Sequence, residues 1–288
     1  VLDGAGGIGK TSLAFEAAHR APAEHYPVKL FITAKTTRLR ADGIHAVQDN
    51  RIDNYFKLLT EIGLALGCDD MQRIPSEQQV ARVRHALASQ NVLLVLDNLE
   101  TLNKEERRRI YDLLEILPSG CRAIVTSRRR DETAARTLRL GKLNVDAALQ
   151  LLSELGEYTP AIAKLTDKER QQLYAETGGN PLLLIWTATQ IGRSQGRCHT
   201  VEEAVQRLQE AQINEQNDPL AFVYGDLLDT FTDNEIAVLS ALAYFTEPAR
   251  LSWLLPLASL SETAALTALD DLRDRALLLE NETSGTWF

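Results

Sequence analysis

The chain is poor in sulfur, with three cysteines and one methionine among 288 residues. Cys68, Cys121 and Cys198 are far apart and form no CxxC pair. That excludes a disulfide mini-scaffold, argues against a thiolate zinc site, and fits the reduced thiols of a cytoplasmic protein. Long apolar runs are missing. Runs such as Val92–Leu96 and Pro181–Trp186 fall far short of the ~20 residues that span a bilayer, so no membrane association is expected. No signal-peptide pattern opens the chain. No low-complexity tract or repeat of about 20–50 residues occurs. Positive charge is also in short supply: 31 Lys and Arg stand against 40 Asp and Glu, for a net charge of -9. Such a balance disfavours a large phosphate-backbone footprint.

What is present is ordinary globular composition, 44% hydrophobic and 25% charged. At ~100–200 residues per domain the length suggests about two domains. The chain opens at Val1, its lone methionine is Met71, and its first residues read as the end of a strand. It is therefore expected to be a piece of a longer polypeptide.

Val1-Leu2-Asp3 reads as a strand tail, Gly4 to Gly9 as a glycine-rich turn and Lys10–Arg20 as helix. Val28–Ala34 reads as a second strand. Tyr55–Leu66 and Ser76–Ser89 read as amphipathic helices, the latter with Ser76 as N-cap. Val92–Leu96 is almost wholly aliphatic, as in a parallel strand buried on both faces. Lys104–Leu117 reads as helix, Arg122–Ser127 as a fourth strand and Thr137–Leu140 as a fifth. This alternation predicts a doubly wound α/β domain over residues 1–141. A small helical domain is expected over 142–212, from Asp146–Leu155, Asp167–Glu176, Pro181–Gly192 and Val201–Ala211. A polar linker with a short helix, Leu220–Leu228, follows over 213–228. Over 229–288, Thr232–Ala243, Leu251–Leu257 and Ser261–Arg275, followed by the apolar Ala276–Leu279, predict a winged helix.

Gly4-Ala5-Gly6-Gly7-Ile8-Gly9-Lys10-Thr11 matches GxxxxGK[ST], with a strand before it and a helix after it. Glycines let successive backbone N–H groups turn inward around phosphate oxygens. The helix that starts after Gly9 adds the positive end of its dipole. Gly6, Gly7, Ile8, Gly9, Lys10, Thr11 and Ser12 are thus candidate nucleotide-binding residues. Lys10 can reach the β- and γ-phosphates, and the Thr11 hydroxyl can coordinate Mg²⁺. The bland alternative is a glycine-rich turn with no ligand.

Three further segments carry candidate chemistry. The hydrophobic strand Val92–Leu96 ends in Asp97, which can hold Mg²⁺ directly or through water. A hydrolytic site also wants a carboxylate to orient water. Asn98 cannot serve, and Glu100 is the nearest carboxylate; otherwise it is an exposed Glu capping the next helix. The strand Arg122–Ser127 runs into Arg128, placed to sense a γ-phosphate, with Arg129 and Arg130 solvated; otherwise all three form a solvated basic turn. Thr177-Gly178-Gly179-Asn180-Pro181-Leu182 suits a helix C-cap followed by a proline in the next first turn. Its functional reading adds Pro181 packing on a nucleotide base.

In this order the GGIGKTSLA loop, the LLVLDNLE and IVTSRR strands and the GGNPLLL turn resemble an NB-ARC-type STAND ATPase. STAND proteins are signal-transduction switches related to AAA+ ATPases, and include apoptosis and plant immune receptors and bacterial regulators. The resemblance covers nearly the whole chain. It implies that Lys10 and Thr11 serve the phosphates and Mg²⁺ of ATP or ADP, that Asp97 is the second Mg²⁺ contact, that Arg128 is the sensor arginine and that Pro181 contacts adenine. It also implies a switch in which ATP with Mg²⁺ favours a self-associating form, with effector and sensor domains elsewhere in the same polypeptide. Many members carry a second Asp where this chain has Asn98, which implies slow hydrolysis. The family's histidine motif and its upstream adenine-recognition segment are expected outside these residues. A transcription regulator with its DNA-binding part elsewhere and a remodelling ATPase are the alternatives.

A winged helix raises the question of DNA. From Asp229 to Phe288 there are ten acidic and three basic residues, a net of -7. The recognition-helix candidate Ser261–Arg275 carries four acids and two bases. Such a surface repels phosphates, so no direct DNA binding is expected of it.

Overall fold

A computed structural model describes residues 1–35, 37–40, 43–46, 51–128, 134–191, 198–210, 231–245, 247–274, 278, 280–281 and 286–287. The chain divides into two compact units. The first comprises Val1–Asp3, Gly9–Arg38 and His45–Leu140; the second comprises Gly4–Ile8, Leu39–Ile44 and Gly141–Phe288.

In the first unit β1 (Leu2–Asp3), β2 (Val28–Thr33), β5 (Val92–Asp97), β6 (Arg122–Ser127) and β7 (Leu138–Arg139) form one sheet in the order β2-β5-β6-β1-β7. All of its pairings are parallel. All six residues of β5 are buried, which explains the unbroken aliphatic run: a central parallel strand is covered on both faces. Helices α1 (Lys10–Arg20), α2 (Tyr55–Ala65), α3 (Ser76–Ala88) and α4 (Lys104–Glu115) flank it. The inward faces of α2, α3 and α4 build one core with Leu58, Leu59, Ile62, Met71, Val83, Leu87, Leu94, Leu96, Ile110 and Leu113, while Ala14 and Ala18 of α1 pack with Leu2, Leu93 and Val95 in a second. Each such side chain contributes about 1.5–3 kcal/mol on burial. The sequence did not suggest β3 (Thr37–Arg40) and β4 (Gly43–Ala46), which form a separate two-stranded sheet.

Helix starts are set by short polar side chains. Asn54 caps α2 and Asn103 caps α4, each accepting a bond from the backbone N–H three residues on. Ser76, expected as an N-cap, is instead the first helical residue of α3; the preceding Pro75 takes the cap position, extended and with no side-chain bond to give.

The second unit contains α5 (Val145–Tyr158), α6 (Pro160–Ala163), α7 (Asp167–Thr177), α8 (Pro181–Thr189) and α9 (Val201–Glu210). They close over Leu152, Ile162, Leu173, Leu184, Ala188, Val201 and Val205. Thr166 and Glu169 form a reciprocal capping box on α7. Further along, helices Asp233–Leu242, Leu251–Ala258 and Glu262–Asp274 surround Val238, Leu254, Leu269, Leu272 and Trp287. A small antiparallel sheet joins them: β10 (Thr286–Trp287) pairs with both β8 (Ala249–Arg250) and β9 (Glu280–Asn281). The expected linker 213–228, with its short helix, lies outside the described residues, as does most of the apolar run 276–279. Among the described residues no helix is long and apolar enough to cross a membrane, and all three cysteines are buried and free.

Candidate functional site

Parallel strands bring their carboxyl ends to one edge of a sheet, and ligand crevices in open α/β sheets lie there. In the first unit β1 ends at Asp3 with Ser127 beside it in register, and β5 ends at Asp97 beside Thr33. The segments leaving these ends carry Gly9–Thr11, Asn98–Glu100 and Arg128. Gly9 takes φ +98°, a left-handed conformation, and a Cβ built there would meet nothing within 4 Å. The chain thus turns tightly into α1 beside open space. No acidic residue of α1 itself occupies its first turn, so the helix sequence does not offset the positive end of its dipole.

Asp97 sits in a cradle of three hydroxyls. Its Oδ1 accepts from Thr11 Oγ1 at 2.6 Å and from Thr126 Oγ1 at 2.7 Å, and its Oδ2 accepts from Thr33 Oγ1 at 3.1 Å. Thr126 Oγ1 in turn accepts from the Asn98 N–H at 2.9 Å, and Thr33 Oγ1 from the Lys35 N–H at 3.0 Å. One carboxylate therefore ties the ends of β2, β5 and β6 to the first turn of α1. The hydroxyl of Thr11 keeps a lone pair for a cation while its proton points at Asp97, a donor set that suits a hard, oxygen-seeking ion such as Mg²⁺.

Asn98 takes φ 66° and ψ 42°, a conformation that Asn tolerates better than most residues. This left-handed step turns the chain into the short helical turn Leu99–Thr101, which carries Glu100 inward. Both Glu100 carboxylate oxygens are sealed from solvent. Arg128 Nε lies 3.2 Å from Glu100 Oε1, and both side chains are about nine-tenths buried. Burial pushes the Glu100 carboxyl above its ordinary range, while the nearby charges of Lys10 and Arg128 pull the other way. Lys10 is only 7% exposed. Burial lowers its ammonium to about 8, Glu100 and Asp97 oppose that shift, and Arg128 and Lys35 add to it. The site thus brings together two cations and two carboxylates, all about nine-tenths buried or more.

The first half of the glycine loop belongs to the second unit with Asn180 and Leu182. Asn180 Nδ2 donates to the Gly6 carbonyl at 3.0 Å, and the Leu182 N–H to the Gly7 carbonyl at 3.2 Å. Gly7, at φ +71°, is pinned: a Cβ there would fall 2.8 Å from Leu182 Cβ. Pro181 takes the first position of α8, and Asn180 caps that helix.

The sequence candidates divide accordingly. Lys10, Thr11, Asp97, Glu100 and Arg128 come together in the first unit. Glu100 is not an exposed helix cap; Asn103 caps α4, and the short turn after Asn98 draws Glu100 inward. Arg128 is inward as expected, while Arg129 and Arg130 lie outside the described residues. Ser12 is exposed on α1. Gly6, Gly7, Ile8 and Pro181 lie in the second unit. The sequence reading missed Thr33, Thr126 and Asn180. Hydroxyl residues at the carboxyl ends of β2 and β6 were the available signal for the two threonines. Asn180 was hidden behind its more conspicuous neighbour Pro181.

Comparison with known proteins gives a family. The family model of the NB-ARC domain matches residues 1–158. The Regulatory protein AfsR of Streptomyces griseus is 32% identical over 157 residues, covering 53% of this chain and 14% of that protein. The chain thus spans about one seventh of the curated relative it matches. Among solved structures, a STAND protein with a tetratricopeptide repeat sensor from Pyrococcus horikoshii aligns over 100% of this chain and 38% of its own, with TM-score 0.43 and 17% identity. The Aeropyrum pernix Orc1 protein in complex with DNA aligns over 99% of this chain and 81% of its own, with TM-score 0.47 and 13% identity.

Proposed function

The chain belongs to the NB-ARC domain family, and from that premise we propose that it is the ATP- and ADP-binding switch core of a STAND-type signal-transduction ATPase. The observation that supports this reading is the gathering of Lys10, Thr11, Asp97, Glu100 and Arg128 at one edge of the parallel sheet. The residues fit a phosphate tail with Mg²⁺. The buried Lys10 is a cation partly starved of solvation, which a phosphate oxygen restores. Gly9 leaves the approach open where a side chain would fill it. Mg²⁺, when bound, neutralises phosphate charge.

In this reading Lys10 binds the β- and γ-phosphates as a point charge. Thr11 would hold the cation through its hydroxyl oxygen, and Asp97 orients Thr11 by accepting its hydrogen bond. Glu100 orients the attacking water and accepts a proton at a carboxylate oxygen, while Arg128 senses the γ-phosphate. With Asn98 in place of a second acid, turnover is slow, as suits a switch rather than a motor. Exchange of ADP for ATP shifts the population of states and favours self-association. The helices and small sheet over 229–288 act as a winged helix that reads the nucleotide state; their excess of acids argues against duplex DNA as their ligand. Effector and sensor domains elsewhere in the polypeptide supply trigger and output. Similarity to a regulatory protein over half the chain favours, as the second reading, a transcription regulator whose DNA-binding part lies elsewhere.

Calorimetric titration with ADP and ATP tests the core of the proposal. Lys10→Ala is expected to abolish binding that the parent chain shows. A parent chain that binds neither nucleotide overturns it. Light scattering of the complete polypeptide with ATP, Mg²⁺ and its trigger tests self-association, and a persistent monomer removes that part alone.

A further inference from the structure

The turn at Asn180 grips the glycine loop from behind. Asn180 is buried, and its side chain makes three hydrogen bonds. Its Oδ1 accepts from the N–H groups of Leu182 at 3.0 Å and Leu183 at 3.3 Å, which caps α8. Its Nδ2 is left for a different task and donates to the Gly6 carbonyl at 3.0 Å. The Leu182 N–H also reaches the Gly7 carbonyl at 3.2 Å.

Peptide geometry turns this grip into a direction. In a planar trans peptide the C=O and the N–H point opposite ways. The Gly6 carbonyl shares its plane with the Gly7 N–H, and the Gly7 carbonyl shares its plane with the Ile8 N–H. Holding the two carbonyls therefore aims the Gly7 and Ile8 N–H groups away from the 180–182 turn. Gly7 permits the close approach, since a Cβ would lie 2.8 Å from Leu182 Cβ and 3.0 Å from Asn180 Oδ1.

We propose that Asn180 is a positioning residue for phosphate: through the Gly6 carbonyl, with Leu182 on the Gly7 carbonyl, it aims the Gly7 and Ile8 amides at the phosphate tail of a nucleoside di- or triphosphate. It touches no ligand and sets affinity by fixing two peptide planes in advance, so that binding does not have to order them. The proposal rests on the phosphate-loop reading above.

Two substitutions separate this task from helix capping. Asn180→Ser keeps a good cap oxygen and loses the reach to Gly6. Asn180→Asp keeps the cap and replaces the donor with an oxygen that repels the Gly6 carbonyl. ADP is titrated without metal, by calorimetry and by following backbone amide resonances. The cap is retained but a buried bond is lost, so the nucleotide-free variants unfold at somewhat lower temperature, and ADP is titrated where each is fully folded. ADP affinity is expected to fall about tenfold in Asn180→Ser, because binding then has to order the loop, and further in Asn180→Asp. The ADP-induced shifts of the Gly7 and Ile8 amides shrink in both. The proposal is overturned if Asn180→Ser binds ADP within about twofold of the parent with those amide shifts unchanged, while Lys10→Ala abolishes binding. If Lys10→Ala binds ADP as the parent does, the phosphate-loop reading itself falls, and this inference with it.

Discussion

Raising the pH should weaken nucleotide binding well before an ordinary lysine titrates. Burial lowers Lys10 from 10.5 to about 8 in the nucleotide-free chain. That shift corresponds to about 3 kcal/mol of disfavoured charging. A phosphate at Lys10 favours the ammonium form, so the bound lysine titrates higher and binding takes up a proton above pH 8. Affinity should hold steady below that point, then fall about tenfold by pH 9 and about thirtyfold by pH 9.5, whereas an unshifted lysine would leave it nearly flat. Stability of the nucleotide-free chain moves the opposite way. Between about 8 and 10.5 the unfolded chain binds more protons at this position than the folded chain, so stability rises across that window. Fluorescence anisotropy with labelled ADP and a chelator, from pH 7 to 9.5, reads the first trend, and urea titrations at the same pH values read the second. Lys10→Arg, if it binds, should show a flat profile because its guanidinium stays charged. Parent affinity that is constant through pH 9.5 refutes the reasoning.

Thr126→Val removes the hydroxyl that donates to Asp97 and accepts from the Asn98 N–H, and should cost about 1–3 kcal/mol in denaturant unfolding, with Thr126→Ser recovering much of it. An unchanged midpoint would show that water replaces the hydroxyl. Glu100→Gln should keep nucleotide binding and slow release of phosphate from ATP in a single-turnover assay; a rate equal to the parent's removes Glu100 as the base.

Much of the first unit was legible because parallel strands and amphipathic helices obey simple periodicities. Val92–Asp97 had no polar interruption, and burial on both faces is the physical reason. The glycine loop and Asp97 were legible as candidates because binding phosphate and Mg²⁺ would demand specific residue types at fixed spacing. Thr33 and Thr126 were not, since a threonine near a strand end is common and only strand register brings two of them to one carboxylate. Glu100 was readable as a nearby acid but not as a buried one, because its burial depends on the backbone conformation of Asn98. Ser76 misled as a cap because sequence alone cannot tell the cap position from the first helical turn when a proline precedes it. Asn180 went unnoticed because its partner is 174 residues away, and local pattern accounts for it fully as a cap.

The left-handed backbone at residue 98 has an evolutionary consequence. Apart from glycine, asparagine and aspartate are the side chains that settle most easily into such a conformation, and they are nearly the same size. A lineage can therefore exchange an amide for an acid at this spot without rebuilding the loop around it. In the proposed switch, the rate of hydrolysis becomes adjustable by one amino-acid change, while the scaffold around it stays as it is.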